Sequence, residues 1–460
     1  MLYHAQSLAT AGFITHIVAY RGSAPPQQLA DNPHVHFVYL PTPLACISQL
    51  PRPLFLLFAP FKVVAGAWGL LKALVWTIDT PLSYLFLQNP PAIPTLPVVQ
   101  LAALLLGSRV VIDWHNTGYS VLALRLGEQH PVVRLARFIE HLFGRSAYAH
   151  FCVSDAMKAQ LQKEAGLKGR VHTVHDRPPS SFRRLDSAEA HELLPRLPFL
   201  SASSLSFPPS PSPPAADYPL APSLFTAPHG PPPADRPALL VSATSWTADE
   251  DFSILLEALE MYEKAAGVYA AGKGGLPGAA GDRGGKEGKK ATGKGERLPR
   301  VVVVITGKGA GKAAFEKDVE EREGRWEWVR VRTAWLARED YPRLLGAADL
   351  GISLHTSTSG IDLPMKVVDM FGCGLPVVAL DFPCLNELVQ DGKNGLVFRT
   401  PSDLADRLIT LLRGFPRTYP SDLDRLREGI GKVRYGAQGE GQGWGSWEEN
   451  WGEVVGPVLQ

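Results

Sequence analysis

The sequence predicts an α/β protein in which two doubly wound domains with parallel sheets face a cleft. Short apolar runs alternate with helical patterns along the whole chain, which is typical of parallel βαβ units. At 460 residues the chain exceeds the size at which one hydrophobic core usually stops growing. A proline- and serine-rich stretch divides the pattern into two halves. We therefore expect two domains of about 150 to 200 residues each.

The first half opens with a helical pattern and continues with six predicted strands. The helix spans 1–11, and further helices are expected over 132–143 and 155–164. A doubly wound domain normally begins with a strand and a glycine-rich turn. Neither precedes Met1, so we expect that the first strand is lost or that the sequence is incomplete. The six strands are expected at 14–20, 35–40, 84–88, 109–113, 150–154 and 171–175.

One segment between the two halves and one segment within the second half are too rich in small and polar residues to bury a core. Residues 195–237 are rich in proline and serine, which predicts a mostly disordered linker or insertion. Residues 265–296 are rich in glycine and lysine, which favours a solvated loop, with contact between the lysines and anionic lipid as the alternative. We expect no chemistry from either segment. Six strands are expected in this half, at 238–243, 301–306, 328–331, 350–354, 375–380 and 396–398.

The composition argues against several classes of site. Lys plus Arg (46) nearly balances Asp plus Glu (45), so no global basic charge is present to hold a nucleic-acid backbone. We therefore expect no nucleic-acid partner. The cysteines form no C-x-x-C pair, which argues against a zinc site and a disulfide scaffold and favours a reducing compartment. Three of the four lie in apolar runs typical of small core residues; the four are Cys46, Cys152, Cys373 and Cys384.

The apolar segment 53–78 predicts a helix or helix pair that lies on a membrane surface. Lys62 and Lys72 interrupt the segment, and Trp68 and Trp76 are side chains of the kind that anchor at a membrane interface. A helix that crosses the bilayer is disfavoured, because each interior lysine costs about 2.5 to 3.5 kcal/mol. A buried core helix is the alternative.

The segment 358–380 predicts a binding site for a nucleotide sugar. Gly360 permits a tight turn, and Pro364 suits the first turn of a helix. Lys366 and Asp369 then fall on one helical face. A helix N-terminus favours a diphosphate, and a lysine there adds a positive charge. A carboxylate about one turn farther along can accept hydrogen bonds from two ribose hydroxyls.

The run 113–119 predicts a second site, at the carboxyl end of a strand, where open α/β sheets place their ligands. His115 beside the carboxylate of Asp113 can take a proton or bind a phosphate oxygen, and Trp114 can stack on a sugar ring. The alternative is that Asp113 caps a turn and His115 is structural. Glu140, beside a histidine on a predicted helix, is a further candidate, with helix packing as its alternative role.

Two weaker signals follow strands of the second half. The run 241–251 offers hydroxyls and backbone amides to a phosphate at a helix N-terminus. The alternative is that Asp249, Glu250 and Asp251 are helix caps and dipole partners, and this role is favoured for at least two of them. The glycine turn 305–309 lacks the spacing of a Walker loop. It would let Lys308 reach a base or a diphosphate, and a plain strand-to-helix turn is the alternative.

Together these motifs resemble the GT-B glycosyltransferases, which have two Rossmann-like domains. Pro364-x-Lys366-x-x-Asp369 is similar to their donor motif, with Asp369 where most members have glutamate. The resemblance is closer to the chitobiosyldiphosphodolichol β-mannosyltransferases, and it spans the chain from residue 1 to about 398 apart from the two low-complexity segments. The runs that carry it are 3–9, 88–96, 112–120, 242–252 and 360–377.

The resemblance implies transfer of mannose from GDP-mannose to dolichyl-diphosphate chitobiose, with inversion to a β-1,4 linkage. This is the first mannosylation of the lipid-linked oligosaccharide used for protein N-glycosylation. It implies a location at the endoplasmic reticulum membrane, on the cytosolic face, and a complex with other mannosyltransferases of the pathway as a candidate assembly. In such a protein, residues 1–185 form the acceptor-binding domain, 238–435 the donor-binding domain and 436–460 a tail.

The resemblance also suggests roles for single residues. His115 or Asp113 is expected to be the general base, with Glu140 in reserve. No metal ion is required where lysines and helix dipoles stabilise the leaving group, although stimulation by a divalent ion stays open. The donor ligands are expected to be Asp369 on the ribose, Lys366 and Gly360 on the diphosphate, Lys308 nearby and Asp362 toward the mannose.

The chain departs from the family pattern at its start. Family members usually carry an N-terminal membrane anchor, a first strand and a Gly-Asp-x-Gly-Arg-Ser-Pro-Arg run, and these are absent upstream of Met1. Two other functions therefore stay open. One is a related transferase that uses a different sugar nucleotide, such as a UDP-sugar, on a lipid acceptor. The other is an inactive, glycosyltransferase-like subunit.

Overall fold

A computed structural model describes residues 1–22, 24–42, 52–207, 223–227, 232–246, 250–271, 297–356, 360–416, 420–432 and 445–459; the side chains of 52–57 and 59 are not described. The chain forms two compact units. Unit 1 comprises Met1–Asp176, Ser357–Leu363 and Gly445–Gln460, and unit 2 comprises Arg177–Thr356 and Pro364–Trp444.

All twelve predicted strands are found, and every pairing among them is parallel. In unit 1 they are β1 Thr15–Tyr20, β2 Val35–Leu40, β3 Tyr84–Asn89, β4 Arg109–Trp114, β5 Ser146–Cys152 and β6 Lys168–Thr173. In unit 2 they are β7 Ala238–Ala243, β8 Val301–Thr306, β9 Val329–Ala334, β10 Leu350–Ser353, β11 Val377–Leu380 and β12 Gly395–Phe398.

Helices connect these strands and cover the sheets. The first seven are α1 Leu2–Thr10, α2 Gln27–Ala30, α3 Arg52–Lys72, α4 Thr95–Leu106, α5 Gly118–Leu126, α6 Pro131–Gly144 and α7 Asp155–Glu164, and a π-helical turn, Ala73–Thr77, continues α3. The next five are α8 Ser187–Leu193, α9 Ala202–Leu205, α10 Ser253–Ala270, α11 Lys312–Glu323 and α12 Asp340–Ala347. The last five are α13 Met365–Gly372, α14 Pro401–Leu412, α15 Asp422–Lys432, α16 Trp447–Val454 and α17 Gly456–Leu459. Short 3-10 turns occur at Leu194–Arg196, Pro198–Leu200 and Leu385–Glu387.

The six strands of unit 1 form two sheets, one with the order β1-β2 and one with the order β3-β4-β5-β6. β5 and β6 begin earlier than the sequence predicts, because the apolar pattern does not mark their first residues. In β5 the side chains are buried only from Ala149 onward. In β6 the first three residues are exposed and the last three are half-buried. One face of the four-stranded sheet packs against α4 and α7, with Ile112 and Met157 in the core. The other face contacts α16, whose Trp447 and Trp451 are buried there.

Unit 2 contains a six-stranded sheet with the order β12-β11-β10-β7-β8-β9. Its strand β8 is buried along its whole length, as expected for a strand covered on both faces by helices. Strands β7 to β9 are added in one direction and β10 to β12 in the other, so the chain reverses between β7 and β10. In doubly wound sheets this switch point is where ligands bind, outside the carboxyl ends of the strands.

The structure corrects the expected extent of both low-complexity segments. The segment 195–237 was predicted to be mostly disordered, and this is wrong for 195–207, which contains 3-10 turns and α9. Leu200 and Leu205 are buried there, and the Arg330 guanidinium donates to Leu205 O (2.8 Å) and Ser206 O (3.2 Å), so apolar anchors and a buried cation order the segment. α10 continues to Ala270, past the predicted boundary at 265. The segments 208–222, 228–231 and 272–296 lie outside the described residues.

The three described cysteines confirm their expected role. Cys152, Cys373 and Cys384 are buried thiols, and burial raises the pKa of the Cys152 and Cys373 thiols to about 12. Cys46 lies outside the described residues. In the part of the chain that the structure describes, no helix combines the length and the apolar character needed to cross a bilayer.

Candidate functional site

Unit 2 brings polar side chains together at its switch point. Thr244, Ser245 and Trp246 follow β7, and His355 follows β10. Glu250 joins the two, because its backbone pairs with that of His355 in an isolated antiparallel bridge. The position is therefore the one at which a doubly wound sheet is expected to bind its ligand.

An ion pair between a buried carboxylate and a partly exposed lysine lies at this point. Lys366 Nζ donates to Glu250 Oε1 at 2.8 Å. Glu250 Oε2 accepts from Thr244 Oγ1 and from the backbone N–H of Ser245 (3.3 Å), and Trp246 N in turn donates to Thr244 Oγ1 (2.7 Å). The Glu250 carboxylate thus links the segment after β7 to the first turn of α13.

The sequence of α13 explains why its polar residues face away from the core. Val367, Val368, Met370 and Phe371 are buried, so an apolar face fixes the helix against the sheet. Lys366 and Asp369 lie on the opposite face, three residues apart, as predicted. The structure brings these two predicted donor ligands onto one helix.

Asp369 is bonded to a tyrosine that the sequence analysis did not single out. Tyr341 Oη donates to Asp369 Oδ2 at 3.3 Å. Burial, together with the negative charge and the hydrogen bond of Asp369, raises the pKa of Tyr341 far above its ordinary value. The tyrosine therefore stays protonated and positions one oxygen of the carboxylate.

Lys308 lies in the turn after β8. A Cβ on either neighbouring glycine would overlap the backbone after β7: Gly307 faces Thr244 O, and Gly309 faces Ser245 O. Glycine is thus needed for the turn to lie against the segment that holds Glu250. The Lys308 ammonium lies 4.3 Å from the ring centroid of Trp335, an exposed side chain just after β9.

The two remaining predicted donor ligands belong to the other unit. Gly360 and Asp362 are part of unit 1, and the chain passes into unit 2 between Leu363 and Pro364. Gly360 has a φ of +73°, which glycine adopts without strain. Ser154 Oγ donates to the backbone oxygen of Ile361, and this bond fastens the segment to unit 1.

In unit 1 the predicted pair Asp113 and His115 is found in contact. His115 Nε2 lies 2.8 Å from Asp113 Oδ2, and His4 Nε2 lies 3.3 Å from the same oxygen. His115 Nδ1 lies 3.8 Å from a carboxylate oxygen of Asp176. These contacts form a cluster of two imidazoles and two carboxylates. The side chain of His115 is the most exposed of the four.

Burial and hydrogen bonding act in opposite directions in this cluster. Burial alone would raise the pKa of Asp113, but hydrogen bonds from His115 and His4 outweigh it and hold the pKa well below its ordinary value. Burial alone would lower the pKa of His115, and the bond and charge of Asp113 raise it above its ordinary value. Burial raises the pKa of Asp176.

Glu140 lies in a separate, enclosed environment. Its Oε1 accepts from Asn89 Nδ2 (2.8 Å) and Gly118 N (3.0 Å), and its Oε2 accepts from Tyr119 N (3.1 Å). It therefore bonds the first two amides of α5. Burial raises the pKa of Glu140, although these three hydrogen bonds oppose the shift.

The expectation that Trp114 stacks on a sugar is wrong. Its side chain is fully buried, it fills the space above Gly144, and its indole Nε1 donates to His150 Nδ1 at 3.2 Å. Asp113 and Trp114 are successive residues of β4, so their side chains point to opposite faces of the sheet. Trp114 packs in the core on one face, and Asp113 meets His4 from the other.

Two family models match the chain. The model for a glycosyl transferase 4-like domain matches residues 2–177, and the model for glycosyl transferases group 1 matches residues 291–414. Among curated relatives, the chitobiosyldiphosphodolichol β-mannosyltransferase of Mus musculus is 38% identical over 100% of this chain and 86% of its own length. The chain belongs to the chitobiosyldiphosphodolichol β-mannosyltransferase family. The resemblance found in the sequence is thereby confirmed.

Other relatives of this glycosyltransferase also match it over its whole length. The human chitobiosyldiphosphodolichol β-mannosyltransferase is 38% identical over 100% of this chain and 89% of its own length. A protein of Arabidopsis thaliana named UDP-glycosyltransferase TURAN is 39% identical over 100% of this chain and 94% of its own length.

Solved structures confirm the predicted GT-B fold class of this family member. Sucrose-phosphate synthase from Thermosynechococcus elongatus aligns with a TM-score of 0.59 at 13% identity, covering 99% of this chain and 90% of that chain. Anabaena HepE, solved with UDP and glucose, aligns with a TM-score of 0.54 at 15% identity, covering 94% and 92%. At these identities the likeness concerns the fold alone.

Sequence reasoning missed residues that act through tertiary contacts. Glu250 was weighed only as one acid of a run typical of helix caps, and its pairing with Lys366 depends on two segments more than 100 residues apart. Tyr341 belongs to none of the motifs named in the sequence, and His4 lies in the run 3–9 that carries the family resemblance but was not predicted as a site residue. A signal for Glu250 was present nonetheless: an acid that follows a strand at a sheet's carboxyl edge is placed to meet the lysine of the donor motif.

Proposed function

We propose that the protein transfers mannose from GDP-mannose to chitobiosyl-diphosphodolichol, with inversion to a β-1,4 linkage. Membership of a β-mannosyltransferase family supports the reaction, since relatives with that name match over the whole chain. The single observation that carries the donor side is the Lys366–Glu250 ion pair at the switch point of unit 2.

The ion pair suits a diphosphate site for a chemical reason. An ammonium group has three N–H donors, and its bond to Glu250 uses one of them. The bond to Glu250 thus orients the Lys366 ammonium group. Its other two N–H groups can donate to phosphate oxygens beside the N-terminus of α13, where the helix dipole favours negative charge. Asp369, held through Tyr341, is the proposed ligand of the ribose. Lys308, Gly360 and Asp362 remain the proposed ligands around the diphosphate and the mannose.

On the acceptor side we infer that His115 is the general base. The acceptor hydroxyl attacks C1 of mannose, the bond from C1 to the phosphate oxygen breaks, GDP leaves, and the hydroxyl proton passes to imidazole. Asp113 fits a positioning role better than a basic one, because its pKa is low and its oxygen already meets two histidines. With Nε2 donating to Asp113, Nδ1 of His115 is the nitrogen that would take the proton.

We assign Glu140 a structural role in place of its reserve role as a base. Its two oxygens accept from three donors within the protein and its side chain is buried. A base must lie within hydrogen-bonding reach of its substrate. Glu140 instead fixes the start of α5, which follows the segment that carries His115.

The proposed chemistry needs no metal ion. The positive charge of Lys366 and the amides at the start of α13 are of the kind that stabilises a departing diphosphate without one. Transfer activity in the presence of EDTA is therefore expected to be retained. Loss of all activity on chelation, restored by Mg²⁺ or Mn²⁺, would contradict this part of the proposal.

The proposed location is the cytosolic face of the endoplasmic reticulum membrane, where the lipid-linked acceptor would be available. A lipid acceptor requires that the enzyme work at a membrane surface. Other mannosyltransferases of the same assembly route are the proposed protein partners, and co-purification from membranes with and without detergent tests that association.

A second donor class is favoured by one observation, the relative named UDP-glycosyltransferase TURAN. The decisive experiment supplies a phytanyl-diphosphate chitobiose acceptor with labelled GDP-mannose, UDP-glucose or UDP-N-acetylglucosamine. We expect transfer from GDP-mannose alone, and loss of that transfer in Lys366→Met. The matched control is Lys264→Met, which changes an exposed lysine on α10. Transfer from a UDP-sugar in preference to GDP-mannose would overturn the proposed donor.

A further inference from the structure

Unit 1 exposes apolar side chains over a layer of adjacent helices. Most of the large apolar side chains that the described chain exposes lie between Phe58 and Leu142. Within this range α3 packs on α4, α4 on α6, and α6 on α5. The inner side of the layer contributes to the core under the sheet. The apolar residues on the outer side do not pack into this core. A contiguous exposed apolar surface of this kind marks an interaction site.

The spacing of the exposed residues shows that they form stripes. On α6, Leu135, Phe138 and Leu142 are exposed, whereas Val133 and Ala136 on the inner side are buried. Residues three or four positions apart lie on one face of a helix. α6 therefore has a second apolar stripe that its packing on the sheet does not use.

The same pattern recurs on α3. Phe61, Val64 and Trp68 are more than half exposed and follow the spacing of three and four residues. Trp76, in the π-helical turn that continues α3, is also exposed, and its ring centroid lies 5.8 Å from that of Trp68. Tryptophan pairs of this kind suit the boundary between lipid headgroups and acyl chains.

The helix between them completes the surface. On α4, Leu101, Leu104 and Leu105 are exposed, while Leu96 and Ala102 are buried. α4 contacts both α3 and α6. The three stripes therefore belong to neighbouring helices of one layer.

The charges around this surface have one dominant sign. Residues 52–145 contain eight lysines and arginines and four acids. Two of the acids, Asp113 and Glu140, are buried. On α6 the exposed Arg134 and Arg137 lie one position before Leu135 and Phe138, so a basic stripe runs beside the apolar one. Apolar stripes flanked by basic residues are typical of helices that lie in the surface of an anionic membrane.

We propose that the outer sides of α3, α4 and α6 together form a docking surface for membranes that contain anionic lipids, here called the lipid face. The segment 53–78 supplies only one edge of it. Anionic headgroups complement the arginines, and the acyl region accepts the leucine and phenylalanine stripes. The inference rests on the proposed function in one respect: a lipid-linked acceptor explains why a transferase should be held at a membrane.

The test measures flotation of the full chain with vesicles. Vesicles of phosphatidylcholine alone are compared with vesicles that also contain phosphatidylserine. The variant Leu135→Gln with Phe138→Gln changes exposed residues only, and the control Met261→Gln with Val268→Gln makes the same kind of change on α10. We expect the α6 variant to bind at least about tenfold more weakly, since each large side chain loses apolar burial, and the control to bind as the natural chain does.

A second pair of variants tests the charge and the extent of the surface. Arg134→Gln is expected to lower the affinity about fivefold for vesicles with phosphatidylserine, and to change little without it or at high salt. Phe61→Gln with Trp68→Gln is expected to weaken binding as the α6 variant does. Weakening by the α3 pair alone would overturn the extended surface and leave only the segment 53–78.

Transfer assays separate this inference from the proposed function. Mannosyl transfer to a short-chain, detergent-soluble acceptor is expected to be equal in all these variants, whereas transfer to an acceptor embedded in vesicles falls with membrane affinity. Vesicle binding without any transfer would refute the proposed function and support the lipid face. Failure of the natural chain to bind vesicles would overturn the lipid face, as would a lipid-free oligomer that the α6 variant converts to monomers.

Discussion

The Lys366–Glu250 pair allows structural and donor-binding roles to be measured separately. The Glu250 side chain is 2% exposed and that of Lys366 is 26% exposed. Breaking a buried ion pair by removing one partner costs about 3 to 5 kcal/mol, because the other charge stays buried without it. In Lys366→Met, water can reach the site through the space near the exposed quarter of the lysine, and Thr244 and Ser245 still donate to Glu250. We therefore expect the free energy of unfolding of Lys366→Met to fall by about 3 kcal/mol, the lower limit of that range.

The double variant removes this penalty. In Glu250→Gln with Lys366→Met no buried charge remains, so most of the lost stability should return. Affinity for GDP should not return, because the proposed phosphate ligand is still absent. The measurements are urea unfolding followed by tryptophan fluorescence and titration calorimetry with GDP. Recovery of GDP affinity in the double variant would refute this reasoning. So would a decrease of less than about 1 kcal/mol in the free energy of unfolding of Lys366→Met.

Three further predictions concern other parts of the site. Asp369→Asn should raise the KM for GDP-mannose about tenfold with little change in kcat, because a charged hydrogen bond worth about 1.5 kcal/mol weakens; steady-state kinetics check it, and an unchanged KM rejects the ribose assignment. His115→Gln should lower kcat about 10² to 10⁴-fold with GDP affinity retained, as single-turnover transfer and GDP titration will show. In Asp113→Asn the pKa of His115 should fall, since Asp113 raises it; because the base acts when deprotonated, the acidic limb of the profile of kcat/KM against pH should move to lower pH.

The strands were predictable because consecutive apolar residues in the sequence mark a buried strand. β8 is a run of apolar β-branched residues that ends at Thr306, and such a run is typical of a strand covered on both faces. α13 was predictable for a similar reason, since Pro364 and the glycines after it mark both ends. The polar starts of β5 and β6 lacked that signal, so their limits were misplaced.

The side-chain network of the site was not predictable in the same way. Trp114 follows Asp113 in the chain, and because successive side chains of β4 point to opposite faces of the sheet, Trp114 lies in the core and Asp113 contacts His4. Tyr341 and Glu250 acquire their partners through folding across many residues of chain. Local motifs therefore predicted the candidate ligand-binding segments, and tertiary packing determines which side chains contact them.

The placement of α16 has a consequence for how the protein is made. Unit 1 extends from the first residues to Asp176, yet Trp447 and Trp451 complete its core, where their indoles donate to Ser7 and His4. At about 5 to 20 residues per second, translation of the intervening chain takes roughly 15 to 50 s. During that interval one side of the nascent sheet lacks its cover. A chaperone that shields apolar surface on ribosome-bound chains should therefore associate with nascent chains that end before Trp447 and release those that include α16.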